Sequence, residues 1–298
     1  MAIEIRQVTP DDVDSCVAMF FEAFNDLHEK YHYPAEDPED NAWLRQAILH
    51  FLSTDPDLSL LALDDGEPVA FSSAYRRESF WFLSFLFVRP KEQASGIGRT
   101  LLERVLQPDG PPSPATHATV VESFQPVSTG LYASYGMAPR VPRYRLSGVK
   151  NPSAMPQLPD GVRAQPVTGE MAGEFQELDR ALLGYARPED HRSWAGFDGF
   201  AYRRNGHLIG YGYIEDAQHI GPVAAEDEQT VAGIVRHLLE RTEDPGKAGL
   251  GVLGWSGTLM RTLLEAGMRM DPASYPFVYC SSDTRTFPSY VPYTGYLP

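Results

Sequence analysis

The chain has 298 residues, 25 Lys and Arg against 40 Asp and Glu, and a formal charge of −15. That balance repels phosphate backbones and anionic lipid, so nucleic-acid or membrane-surface binding would need a local basic patch, and none is visible. With 43% hydrophobic and 22% charged residues, the composition is that of a globular protein of about two domains. No apolar run approaches the ~20 residues that span a bilayer. Met1 to Pro10 carries no export signal, which leads us to expect a cytoplasmic protein. Cys16 and Cys280 are too few for a disulfide framework or a metal cluster, so no metal is expected.

Ile3, Ile5 and Val8 alternate as a strand. Thr9-Pro10-Asp11-Asp12 then offers an N-cap hydroxyl, a proline and two acids in a first helical turn. The helix predicted there carries Val13, Cys16, Val17, Phe20, Phe21 and Phe24 on one face. Asp37-Pro38-Glu39-Asp40 starts a second helix, with Leu44, Ala47, Ile48, Phe51 and Leu52 as its stripe. Leu58 to Leu63, the turn Asp64-Asp65-Gly66 and Pro68 to Tyr75 form a hairpin, and Phe80 to Val88 is a third strand.

After Val88-Arg89-Pro90 the segment Lys91 to Arg99 forms a loop, and Thr100, Leu101, Leu102, Val105 and Leu106 continue as a helix. A strand, a glycine loop and a helix start aim several backbone N–H groups and the positive end of a helix dipole at one spot, which suits a pyrophosphate. Glycine lets the phosphates approach where a Cβ would hold them off. With 25 glycines in the chain, a Gly-x-Gly pair arises by chance about twice. Gly210/Gly212 and Gly249/Gly251 are such pairs. The signal at Gly96/Gly98 therefore rests on its context, and neither dinucleotide-binding GxGxxG nor GxxxxGK[ST] is present. Downstream, Thr116 to Val121 reads as a strand and Gln125 to Tyr135 as a short helix ending at Gly136-Met137. Taken alone, Tyr132 reads as a half-buried aromatic with a hydrogen-bonded hydroxyl.

Together these stretches resemble the GNAT acyltransferase superfamily. Its [QR]xxGx[GA] signature stands here as Gln93-Ala94-Ser95-Gly96-Ile97-Gly98, and its later Leu-Tyr pair before a glycine and an apolar residue as Leu131, Tyr132, Gly136 and Met137. The resemblance covers roughly Ile3 to Leu146. It implies an α/β fold with a mixed sheet opened into a V, and acetyl-CoA as acyl-donor co-substrate in the opening. Phe87 and Val88 would pair with the pantetheine arm as an added strand does. Gln93, Ser95, Gly96, Ile97, Gly98 and Arg99 would cradle the pyrophosphate. Tyr132 would sit near the sulfur, where a phenol of ordinary pKa about 10 can protonate a departing thiolate. The position that holds a general-base glutamate in some members is Phe82. The resemblance thus leaves a water held by Ser84 or backbone carbonyls, or a carboxylate from another element, with Glu122 and Glu78 nearest in sequence. For both glutamates a solvated charge at a strand end is the competing reading. Gln125 replaces a frequent asparagine and keeps an amide there.

The stretch 149–161 holds Pro152, Pro156 and Pro159 and reads as a linker between a domain at 1–148 and a second at 162–298. Beyond it the pattern restarts: Val162 to Thr168 echoes Ile3 to Thr9, a stripe follows at Met171, Phe175, Leu178 and Leu182, and Asn205-Gly206 turns a hairpin. Aligned on Leu238-Leu239-Glu240-Arg241, this half places Thr230, Gly233 and Val235 opposite Gln93, Gly96 and Gly98, and Leu263 opposite Tyr132. It looks like a degenerate GNAT repeat, two such domains standing in tandem. The expected activity is N-acetyl transfer from acetyl-CoA to a primary amine by direct attack; a non-catalytic acyl-CoA-binding protein is the alternative. The expected partner is a small or medium-sized amine, with cations favoured by the net charge and by Glu29, Glu36, Asp37, Glu39 and Asp40 around the first interhelical loop, beside Tyr31, His32 and Tyr33. The sequence leaves the oligomeric state open.

Overall fold

The computed structural model describes residues 3–106, 115–271 and 277–296. By packing, the chain divides into two compact units, one of 1–119 and 125–137, the other of 120–124 and 138–298.

The first unit runs β1 (Glu4–Gln7), α1 (Val13–Lys30), α2 (Ala42–Thr54), β2 (Ser59–Asp64), β3 (Glu67–Arg77), β4 (Phe80–Val88), α3 (Ile97–Leu106), the start of β5 (Thr116–Glu122) and α4 (Pro126–Ser134). Its strands lie in sequence order, antiparallel except for the parallel pair β4 and β5. The first helix begins where the residue types require it: Asp12 accepts hydrogen bonds from the Thr9 amide (2.8 Å) and hydroxyl (2.7 Å) and is held by Arg6 at 2.7 Å. All six residues of the predicted α1 stripe are buried.

β4 is apolar almost throughout because both of its faces are covered. Phe85 and Phe87 meet α1 and α2: Phe87 lies 4.6 Å from Phe20 and Phe85 6.0 Å from Phe51, centroid to centroid. Leu86 and Val88 turn to the other face, where they pack with Ile97 and Leu101 of α3 over Ala62, Val69 and Ala70. The C-terminal end of α2 is fixed by an ion pair shut away from water: Arg77 Nη1 is 2.8 Å from Asp55 Oδ2, with the side chains 2% and 8% exposed. Asp55 Oδ1 also accepts the Arg76 amide at 2.9 Å.

The second unit repeats the succession: β7 (Val162–Pro166), α5 (Ala172–Leu182), α6 (Pro188–Ser193), β8 (Asp198–Arg204), β9 (His207–Glu215), β10 (His219–Ala225), α7 (Glu228–Leu239), β11 (Gly249–Leu253), α8 (Gly257–Glu265), β12 (Arg269–Met270) and β13 (Phe277–Ser281), followed by β14 (Tyr290–Val291). Its core joins α7 and α8 to β9, β10 and β11 through Ile209, Ile214, Val223, Ile234, Leu238, Leu250 and Leu263. Gly210 and Gly212 are packing glycines, since a Cβ at either would come within 3 Å of Ile234 or Leu238 on α7.

One strand lies apart from its sequence neighbours. β6 (Ala138–Ser147), which closes the first half in sequence, pairs antiparallel with β11 on one side and β13 on the other and so belongs to the second unit. Packing thus divides the chain at Ala138, whereas the sequence reading sets a boundary at the proline-rich 149–161. That stretch is itself anchored, with Met155 buried and its carbonyl accepting Arg236 Nη1 at 2.7 Å. No helix among the described residues is long and apolar enough to cross a membrane.

Removing one partner of a buried ion pair strands the other charge, a loss of about 3–5 kcal/mol. Asp55→Ala is expected to lower the stability of the first unit by that amount, read as a shift of the urea midpoint. A midpoint within error of the parent protein would show that the pair does not hold α2 to β3.

Candidate active site

The site grows from a fault in the β-ladder. Ser73 pairs with Phe85 and Ala74 with Leu83, so Ser84 is an extra residue on β4, a β-bulge. β4 and β5 pair only over Phe80–Leu83 and Thr116–Thr119, and the last rung is locked by the Thr119 hydroxyl donating to the Leu83 carbonyl at 2.9 Å. From Ser84 to Val88, β4 keeps β3 on one edge, and no β5 pairing exists on the other among the described residues. That edge is half a ladder waiting for an extended partner, and Phe87 and Val88 lie on it.

At the end of this edge the chain turns through Pro90–Glu92 and left-handed conformations at Ala94 (φ 63°) and Gly96 (φ 92°). The turn ties itself together: Gln93 Nε2 donates to the Val88 carbonyl at 3.1 Å and Ser95 Oγ to the Glu92 carbonyl at 2.6 Å. α3 then starts, and among the described residues the amides of Gly96, Ile97, Gly98 and Arg99 have no backbone acceptor. Ile97 is buried and pins the helix start, while Gly96 has nothing within 4 Å of where a Cβ would stand. Four N–H groups at the positive end of a helix, beside a bare glycine, fit a pyrophosphate. The side chains of Gln93 and Ser95 are spent on shaping the loop, so the cradle is main-chain. Arg99 is exposed, donates to the Tyr135 hydroxyl at 3.1 Å, and that hydroxyl donates to Glu103.

Tyr132 sits on α4, 5% exposed, with its carbonyl accepting the amides of Tyr135 and Met137, both at 3.0 Å. Gln125 caps this helix by accepting the Val127 amide at 3.1 Å. Phe82 is fully buried and stacked on Tyr75 at 5.4 Å, so it is core. Glu122 lies at the end of β5, past the rungs shared with β4 and within the segment 120–124 of the second unit; it is half-buried, and burial pushes its carboxyl up to about 6. Glu78 is exposed, in the β3–β4 turn at φ 49°, the far end of β4 from the glycine loop.

The second repeat has the same parts, filled by its own chain. β10 and β11 pair in parallel over only two rungs, His219–Gly249 and Ile220–Leu250. Beyond them β14 adds to the β10 edge, Val223 opposite Val291 and Ala224 opposite Tyr290. The N-terminus of α7 is capped by Asp227, which accepts the Thr230 amide at 2.7 Å and its hydroxyl at 2.8 Å. Gly233, the surviving motif glycine, is in mid-helix, where a Cβ would meet the Gln157 carbonyl at 2.9 Å. Val235 and Leu263 are fully buried. The spacing of Tyr290 and Val291 gave no sign that they would form a strand, and only the fold reveals it.

An open groove of about 520 Å³ adjoins the start of the loop, lined by Glu22, Asn25, Asp26, Glu29, Tyr33, Ala35 and Pro90. The α1 stripe hid Glu22 and Asp26 on its polar side, and of the acids expected around the interhelical loop only Glu29 lines the groove. Glu22 is paired to Arg89 at 2.5 Å and Asp26 to Lys30 at 2.5 Å, which offsets part of the acidity. No group of three metal-ligating side chains occurs among the described residues.

Residues 18–136 match the sequence family described as the acetyltransferase (GNAT) family, a span that contains the open edge, the glycine loop and Tyr132. An uncharacterized N-acetyltransferase of Archaeoglobus fulgidus is 32% identical over 114 residues, 35% of this chain and 72% of that protein. In fold, the whole chain is similar to a GCN5-related N-acetyltransferase from Sphaerobacter thermophilus (TM-score 0.63, 18% identity, 95% of this chain and 96% of that one). It is also similar to a tandem GNAT protein from the clavulanic acid biosynthesis pathway (TM-score 0.57, 15% identity, 96% and 99%). The open β4 edge and the uncapped α3 start lie inside the span that carries the sequence match, and two repeats of one fold fill the chain: it belongs to the GNAT acetyltransferase family, with two GNAT-like domains in tandem.

Proposed function

We propose that the first repeat is an N-acetyltransferase that moves acetyl from acetyl-CoA to a primary amine of a small or medium-sized acceptor by direct attack. The observation that carries this is an asymmetry between repeats: the first keeps an open strand edge and four bare amides at a helix start, and the second closes both with β14 and Asp227. Acetyl-CoA would supply the activated thioester. The β4 edge from Ser84 to Val88 would hold its arm in extended form, and Gly96 to Arg99 its pyrophosphate. Direct transfer agrees with the cysteines: Cys16 and Cys280 are buried, which raises both thiols and leaves neither as a thiolate nucleophile.

In the reaction the free amine attacks the acetyl carbonyl, the nitrogen gives up a proton, and the leaving sulfur receives one. Tyr132 is assigned the second role. Glu122 is assigned the first, because a carboxyl raised to about 6 is ionised at neutral pH yet a stronger base than an ordinary glutamate. Acidic groups at the groove beside Pro90, Glu29 with Tyr33 next to it, support a cationic acceptor. A thiol-release assay across free amines tests the whole reading; acetyl-CoA binding with no turnover on any amine would make the protein a binding module.

Three variants test the parts. A Cβ at position 98 would lie 3.4 Å from Val88 Cγ2, an ordinary contact, so Gly98→Glu should fold while its carboxylate occupies the helix start. Calorimetry should show acetyl-CoA binding abolished, whereas Asp227→Ala in the second repeat should leave it unchanged; retained binding in Gly98→Glu sinks the cradle assignment. Tyr132→Phe should lower kcat by about 10²-fold or more with acetyl-CoA affinity preserved, and an unchanged kcat removes the proton-donor role. With burial raising the Glu122 carboxyl, the basic form disappears as pH falls through about 6, so kcat should rise with pH through that region. Glu122→Gln should flatten this limb. A limb that survives the change would instead favour a water held by Ser84.

A further inference from the structure

The strand β6 alternates between two environments. Tyr144 and Leu146 turn into the core of the second unit. Arg143 and Arg145 therefore project from the opposite face of the sheet. On that face β11 offers glycine beside Arg143: a Cβ at Gly251 would lie 2.6 Å from Arg143 Nη2, whereas one at Gly249 would make only an ordinary contact with Arg145 Nε, at 3.5 Å. Within the Gly249/Gly251 pair, without meaning as a phosphate motif, Gly251 leaves the room that Arg143 occupies.

Arg143 is half-buried there, and its Nε is closed off from solvent with no acceptor. Among the described residues its guanidinium makes no hydrogen bond and no ion pair. Tyr290 and Tyr296 are neighbouring phenols that burial keeps neutral, the Tyr290 hydroxyl accepting from Arg187 Nη1 at 2.6 Å, while burial and the charge of Arg145 lower the Arg143 pKa to about 10. Glu215, which shares Tyr296 as a neighbour, is engaged by the Tyr293 hydroxyl. His219 donates from Nε2 to the Tyr293 carbonyl at 2.6 Å and brings no negative charge. In a chain with a surplus of 15 negative charges, a half-buried cation has been left without an anion, an arrangement that costs stability unless something completes it. A planar guanidinium among phenols matches the two oxygens of one carboxylate.

We propose that Arg143, laid over Gly251 and flanked by Tyr290 and Tyr296, anchors a carboxylate-binding site in the second unit that takes a small-molecule carboxylate. Every residue named in it belongs to the second unit, and its test uses no acetyl-CoA, so it can fail without touching the acetyl-transfer reading.

The test is thermal unfolding of the full chain with sodium succinate against sodium chloride and inorganic phosphate at matched ionic strength. Saturating succinate should raise Tm by roughly 2–4 °C. Arg143→Lys, which keeps the charge and loses the fork, should lose most of that rise, and Arg143→Met all of it. Without added carboxylate, Arg143→Met should be at least as stable as the parent protein, because an uncompensated charge has been removed. A large fall in its Tm would make Arg143 a structural residue and overturn the proposal. So would a response to phosphate alone, or a succinate response that both variants retain.

Discussion

The four-rung parallel ladder between β4 and β5 is the constraint on which the first repeat depends. It closes with the Thr119 hydroxyl on the Leu83 carbonyl, and the next residue, Ser84, bulges out of register with β3. Had the ladder run on to Val88, the backbone groups of that edge would be paired and no extended ligand could add to it. Ending it early leaves polar groups of β4 uncovered, and a ligand that brings matching backbone-like donors and acceptors recovers what was given up. The glycine loop continues the same logic. Its helix start is left without a capping side chain, so the helix dipole is available to an anion.

The second repeat shows what happens when those openings are not kept. Its parallel ladder is shorter still, at two rungs, and the chain satisfies the exposed β10 edge with its own Tyr290 and Val291. Asp227 does at α7 what a phosphate would do at α3: it places negative charge on the first-turn amides, a stabilisation of about 1 kcal/mol for a capping side chain. On the proposed reading the second repeat lacks a ligand site because both features are filled, and the fold survives because both filled features are local. Two repeats of one architecture thus divide the work, one holding polar groups open and the other spending them on stability.

Packing also explains why the units do not follow the order of the sequence. β6 lies between β11 and β13, so the strand that ends the first half completes the sheet of the second. Its core face, Tyr144 and Leu146, is matched to α7 and α8, and its other face carries the two arginines over Gly249 and Gly251.

Much of this was present in the residue order. The α1 and α2 stripes, the hairpin, the strand ending at Val88 and the glycine loop follow from periodicity, turn residues and capping, which act over a few residues and can be read locally. The repetition of that succession after residue 161, and the loss of Gly98 and Tyr132 equivalents, were legible for the same reason. The structure alone decided the features that depend on pairing between distant segments. These are the bulge at Ser84, the early end of the β4–β5 ladder, the plug formed by β14, the transfer of β6 to the second unit, and the half-burial that lifts Glu122 toward neutrality. Strand register and desolvation are set by residues tens to hundreds of positions away, and no local pattern around Ser84, Glu122, Arg143 or Tyr290 carries that information.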